Sequence, residues 1–88
     1  MTKKRNFKVG TLVRLDFSHN NLIGRVRFPM MTRDNKNCVN IGPNDIGIVC
    51  AKYVKLYGGQ YQLVLIDDQL FDIWTPLLIP ANETYKTY

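Results

Sequence analysis

The sequence predicts an all-β fold: a small antiparallel barrel of five or six short strands, with one long loop and a single 3-10 turn. Three observations predict it. Apolar and polar residues alternate in short runs, as in Val13, Leu15 and Phe17 around Arg14 and Asp16, which is the period-two pattern of a half-buried strand. Turn-forming residues separate these runs at 18–21, 58–59 and 67–68. No segment shows the i, i+3, i+4 apolar stripe of a helix, so no crossover helix is expected to join parallel strands. With 88 residues the chain has room for one core.

Residues 1–8, MTKKRNFK, hold four cations and no period that buries a face, and read as a flexible basic arm. The barrel is expected over residues 9–80 and a flexible tail over 81–88. Strand one is expected at 11–17. After the polar turn SHNN, Leu22, Val26 and Phe28 alternate with Arg25 and Arg27, predicting a second extended segment over 22–28. Pro29 is expected to end it by removing a ladder donor.

Residues 30–45 are rich in Asn, Gly and Pro and read as a long loop, with a short strand at 38–41. The run IGIVCAKYVKL from Ile46 is expected to be the longest strand, with Gly47 marking a bulge or a bend at a barrel corner. Gly58-Gly59 supplies a hairpin turn. The returning strand places Tyr61, Leu63 and Leu65 on one face. Asp67-Asp68 makes the next turn, and Leu70, Phe71, Ile73 and Trp74 a further strand with Trp74 directed into the core. Pro76 pre-sets φ for a 3-10 turn ahead of a last short strand, which Pro80 stops.

Composition narrows the function. The apolar stretches at 63–66 and 77–79 are far shorter than the ~20 residues that span a bilayer, so the chain is expected to be soluble, without membrane contact. No apolar run follows Lys3, Lys4 and Arg5, which argues against a secretory signal and for a cytoplasmic location. Cys38 and Cys50 form no disulfide framework and read as reduced thiols, with Cys50 buried in a strand and Cys38 more exposed. Two Cys and one His fall short of the four ligands of a structural zinc site.

Catalytic groups are not expected either. Asp16, Ser18 and His19 look superficially like triad material, but neighbours on an extended segment point to opposite faces. Asp67, Asp68 and Asp72 fit turn chemistry better than paired acid–base chemistry. The chain is expected to be no enzyme and to carry no cofactor.

Charge is uneven. Residues 1–36 carry nine Lys or Arg against two Asp, and residues 37–88 carry three against five acids. Such asymmetry suits a phosphate backbone or an acidic protein surface. Arg25 and Arg27 on one face of the segment 22–28, flanked by Arg14 if that segment pairs with strand one, would form a cationic strip. The arm residues Lys3, Lys4, Arg5 and Lys8 add to it, and Arg33 and Lys36 would extend it. Ordinary wetting of a half-buried sheet explains the same arginines.

The stretch Lys8-Val9-Gly10-Thr11-Leu12-Val13-Arg14-Leu15, the later Asp45-Ile46-Gly47-Ile48-Val49, the strand from Tyr61 to Ile66 and the closing Ile73-Trp74-Thr75-Pro76-Leu77-Leu78 resemble, in order and spacing, the SH3-like barrels of small tailed-bacteriophage proteins. They are also similar to the KOW motif of ribosomal and transcription-factor barrels. The resemblance covers about half the chain. It departs from KOW modules in the thirty or so residues between the first strand and the Gly47 strand.

The resemblance implies a non-catalytic interaction module, a small phage accessory or virion-associated protein in the host cytoplasm or the virion. Its expected protein-binding residues are Phe28, Met30, Met31 and Arg33, forming an exposed apolar patch beside the long loop. An alternative of a different class is nucleic-acid binding through Lys3, Lys4, Arg5, Lys8, Arg14, Arg25 and Arg27, with Tyr53 or Tyr57 stacking a base. A third expectation, a peripheral subunit or regulator of a host enzyme complex, rests on fold analogy.

Overall fold

A computed structural model describes residues 6–52, 54–56 and 58–83. The strands are β1 (Leu12–Leu15), β2 (Phe28–Met31), β3 (Cys38–Ile41), β4 (Gly47–Val49), β5 (Val54–Leu56), β6 (Gly59–Ile66), β7 (Gln69–Trp74) and β8 (Leu78–Pro80). A single 3-10 turn at Thr75–Leu77 precedes β8, with Pro76 in its first positions. The protein is a small all-β domain. No described helix is long and apolar enough to cross a membrane.

All described pairings are antiparallel. One sheet runs β5-β6-β4-β1-β8, with β7 on the opposite edge of β6, and β2 pairs β3 as a separate hairpin. β6, rather than the run from Ile46, is the longest described strand: it pairs with β7 on one edge over residues 61–66 and divides its other edge between β5 at residues 59–61 and β4 at 64–65. The run 46–56 is therefore broken, with Cys50–Lys52 bending between two short strands. The expected barrel does not close. No described pair joins β7 to β8, and the sheet stays open.

The segment 22–28 is not a strand. Beyond Leu15 the amide of Ser18 bonds the Asp16 carboxylate at 3.0 Å, and the amides of His19, Leu22, Ile23 and Arg25 turn back to carbonyls three or four residues earlier. Local turns win over the ladder because Asp16, Ser18 and His19 offer the backbone near partners. Leu22 is fully buried while Val26 is 80% exposed, so their spacing is not that of one strand face. Pro29 lies inside β2 instead of ending it, opposite Asn40 in a two-stranded hairpin whose edges tolerate a missing donor. The long loop is thus a β2–β3 hairpin with a six-residue turn, and the short strand at 38–41 lies where the sequence places it.

The core consists of Val13, Leu15, Leu22, Ile41, Val49, Val64, Ile66, Phe71, Ile73, Leu77 and Leu78, with Phe7, Phe17, Phe28, Met30, Val39 and Trp74 packed around it. On β6 and β7 the inward set is Gln62, Val64, Ile66, Phe71 and Ile73. Tyr61, Leu63, Leu65 and Trp74 occupy the other face and are half-buried. Trp74 is partly buried and packs against the rim of the core, although the strand period puts it on the face opposite Phe71 and Ile73.

Gly47 is no bulge. A Cβ there would meet Ile66 Cγ1 at 2.5 Å, Val64 Cγ1 at 2.6 Å and the Leu65 carbonyl at 2.9 Å. Glycine is required because β4 and β6 approach so closely. The 67–68 turn is as expected: both aspartates have positive φ, 54° and 63°, the pair of left-handed residues that a two-residue type I′ hairpin demands.

Candidate functional site

The β2–β3 hairpin stands beside the β6–β7 ribbon and makes a cleft with it. β2 alternates: Phe28 and Met30 are half-buried against the core, while Pro29 and Met31 face outward. The expected continuous exposed patch of Phe28, Met30 and Met31 is therefore not formed. Only Met31, half exposed, lies on the outer surface. The period of two sends adjacent methionines to opposite faces. All three nevertheless border one cleft of about 320 Å³, with Arg33, Tyr61 and Asp72 completing it.

Arg33 forms the partition between this cleft and a second one of about 560 Å³, lined by Arg33, Asp34, Asp68 and Leu70 among others. Its amide donates to the Leu70 carbonyl at 2.8 Å, tying the hairpin to the free edge of β7. Its Nε lies 3.7 Å from Asp72 Oδ2, a loose ion pair in which Arg33 is exposed and Asp72 is partly buried.

The hairpin turn is tightly built. Thr32 Oγ1 donates to Asp34 Oδ1 at 2.6 Å, the Lys36 amide donates to the same oxygen at 3.0 Å, and the Asn37 amide donates to Thr32 Oγ1 at 3.2 Å. These bonds, the Thr32 hydroxyl first and the Lys36 amide second, hold the Asp34 carboxyl below its ordinary pKa. Asn35 takes positive φ in the same turn. The cleft wall is thus a fixed loop rather than a loose one.

Arg14, Arg25 and Arg27 each engage a different neighbour. Arg14 lies on β1 opposite Ile79, and its Nη2 donates to the Glu83 carbonyl. Arg25 lies over the Phe28 ring, 5.4 Å from its centroid. Arg27 donates to the Asn40 carbonyl at 2.8 Å and pairs Asp45 at 3.4 Å. Residues 22–28 turn instead of pairing with β1, which pairs β4 and β8, so strand pairing does not bring Arg14 beside Arg25 and Arg27. Lys8 is exposed. Lys3, Lys4, Arg5, Tyr53 and Tyr57 lie outside the described residues.

Asp16, Ser18 and His19 are spent on their own turn. The Ser18 hydroxyl donates to Asp16, not to the imidazole, while His19 Nδ1 accepts from the Asn21 amide and the ring meets Trp74 edge-on at 5.7 Å. Cys50 is exposed rather than buried, with its thiol directed at the Ile48 carbonyl. Among the described residues no three His, Cys, Asp or Glu side chains gather as a metal site.

A second surface was not anticipated. Leu12 pairs Ile48, Ile48 pairs Leu65, and Leu65 pairs Leu70, so the four residues form one row across β1, β4, β6 and β7 on the face opposite the core. The signal was present in Leu12-Val13, Ile48-Val49, Leu63 to Ile66 and Leu70-Phe71. Continuous apolar runs, without a polar residue at alternate positions, belong to strands covered on both faces.

Compared with protein-family models, with curated proteins and with solved structures, the chain gives no significant match.

Proposed function

We propose that the protein is a non-catalytic interaction module, an SH3-like barrel variant with its sheet left open, that serves a tailed phage as a small accessory or virion-associated protein and binds a protein partner. The observation that carries the proposal is the cleft between the β2–β3 hairpin and the β6–β7 ribbon. Its wall of Phe28, Met30 and Met31 ends at the Arg33–Asp72 pair. Methionine side chains adapt to irregular apolar partners. An ion pair this long, with its arginine exposed, contributes little to stability, so Arg33 can exchange Asp72 for a ligand carboxylate at small cost, and a carboxylate engages arginine in two parallel bonds. The fitting ligand is a protein segment that presents apolar side chains and an acid. The phage setting is supported by the order of sequence motifs.

The test is affinity capture from the native cells with the wild type, Met31→Glu and Arg33→Glu, all three checked for the same circular dichroism spectrum. One protein should be retained by the wild type and lost by both variants. Equal retention by the two variants removes the cleft from the interaction.

A further inference from the structure

We infer that the partner segment binds as an added β-strand, running antiparallel to β7 in the gap between β7 and β2 and exchanging backbone hydrogen bonds with Asp72. The inference rests on the reading of this cleft as the binding site and adds how the segment lies and which residues it carries.

Bonds already formed fix the backbone directions. The Leu63 carbonyl accepts from the Cys50 amide and the Leu70 carbonyl from the Arg33 amide, both at 2.8 Å, so the pairs Leu63–Asp72 and Leu65–Leu70 exchange no bonds across the β6–β7 ladder. Such pairs alternate with bonded ones along an antiparallel ladder. Asp72 therefore sends its amide and its carbonyl outward, away from β6. On β2 the Thr32 amide donates to the Asn37 carbonyl at 2.9 Å. Met31 and Pro29 thus direct their backbone groups away from β3, toward the edge on which the Arg33 amide reaches Leu70. The two edges touch at Arg33 and Leu70 and part beyond them. No described pairing joins β2 to β7, and the cleft walled by Phe28, Met30, Met31, Tyr61 and Asp72 lies between.

Pro29 explains why β2 does not take this edge itself. Zipped onward from Arg33 and Leu70, β2 would bring Met31 to Asp72 and then Pro29 to Trp74, and proline has no amide to give. The β8 edge is blunted in the same way, since Pro80 lacks an amide and the Leu78 amide is bound to the Thr75 carbonyl. β7 carries no proline. A strand edge with outward amide and carbonyl and open space beside it is a template for strand addition.

An extended residue takes about 3.4 Å along a strand, 4.8 Å across it and 10 Å through the sheet. The cleft of about 320 Å³ therefore holds about two residues. The residue opposite Asp72 sets its side chain on the outer face beside that carboxylate and has to be neutral, because like charges directly opposite repel. Its two neighbours point inward, toward Phe28 and Met30, and are apolar. Two positions further on, at the Arg33 end, the outer-face side chain is the acid. Asp34 and Asp68 lie beyond Arg33, so one acid fits and a run of acids does not. The pattern is apolar, neutral, apolar, acid.

The probe is the end-blocked hexapeptide Thr-Val-Thr-Val-Glu-Thr, titrated to about 2 mM into the isotope-labelled full chain and followed by NMR. It should bind, slow solvent exchange of the Asp72 amide about tenfold, and lose about tenfold in affinity on N-methylation of its third residue, whose amide donates to the Asp72 carbonyl. The reversed sequence should bind about tenfold more weakly. Binding that Arg33→Glu abolishes but N-methylation leaves intact keeps the cleft as the site and overturns the added strand. A peptide that does not bind overturns the inference, and affinity capture then judges the cleft by itself. An Asp72 amide already protected in the free protein overturns it too, because β2 then holds that edge.

Discussion

The buried side chain of Gln62 grips the backbone of Phe7 from both sides: its Oε1 accepts from the Phe7 amide at 3.1 Å and its Nε2 donates to the Phe7 carbonyl at 2.7 Å. A fully buried amide in a strand of valines and isoleucines is costly unless satisfied. Here it stands in for a strand neighbour, closing the backbone of a residue that belongs to no sheet. Phe7, at the end of the stretch that reads as a basic arm, is thereby packed on the core.

Replacing Gln62 with Leu keeps the volume and strands the Phe7 amide and carbonyl. The expected loss is about 2–4 kcal/mol, from two hydrogen bonds and the groups left unpaired. Urea unfolding measures it, and a change below about 1 kcal/mol would show that Phe7 finds water instead.

Gly47→Ala should cost about 2–3 kcal/mol or more, because the nearest obstacles include the Leu65 carbonyl in β6, which cannot rotate aside. Gly10→Ala and Gly24→Ala are the comparison. Both glycines have positive φ but open space around them, so only the left-handed backbone penalty of about 1 kcal/mol applies. Thermal melts of the three variants should rank in that order.

Trp74→Ala should destabilise by about 2–3 kcal/mol, below the ~3–5 typical of a fully buried aromatic, since the indole packs against the core but stays partly exposed. Its fluorescence should be partly quenched by iodide. Complete protection from iodide would place the ring inside the core after all.

Asp34 gives the hairpin turn a pH dependence. Its folded pKa is lowered from 3.8 by the Thr32 hydroxyl and then the Lys36 amide. A depressed carboxyl stabilises above its unfolded value and loses that contribution as pH falls through the folded one. The turn at 32–37 should hold at neutral pH and loosen only below about pH 4. The amide shifts of Lys36 and Asn37, followed together with the Asp34 carboxyl, should titrate as one, and Asp34→Asn should abolish the transition.

Nucleic-acid binding has a decisive measurement of its own. Titration with single- and double-stranded oligonucleotides at about 50 and 200 mM salt should show no tight complex, since Arg14, Arg25 and Arg27 each already engage a partner within the chain. Affinity at low salt that collapses at high salt, and falls on removal of residues 1–5, would place the phosphate contacts in the arm.

Much of the sheet is legible in the sequence, and the exceptions have physical causes. Asp67-Asp68 and the Pro76 turn are local chemistry, so they read correctly. The segment 22–28 misleads because Leu22 and Phe28 both reach the core from opposite ends of a turn, mimicking one strand face with Val26 between them. The hairpin at 28–41 is hidden by Pro29 and by a turn built from side-chain bonds at Thr32 and Asp34. The cleft residues Phe28, Met30, Met31 and Arg33 do meet in space. Their partners Tyr61 and Asp72 come from two distant strands, β6 and β7, and no local signal announces them. The outer row needed the register of four strands, which only the assembled sheet supplies.

The double edge of β6 also sets an order of events. The β6–β7 hairpin closes across a two-residue turn with six paired positions, so it forms early and at little loop entropy. β4 and β5 then add to one edge from nearby in the chain. The β1–β8 pairing joins Val13 to Pro80, a far longer loop, and must come last. In reverse, β8 should be the first strand to peel away, and amide exchange should be fastest there and slowest along the middle of β6.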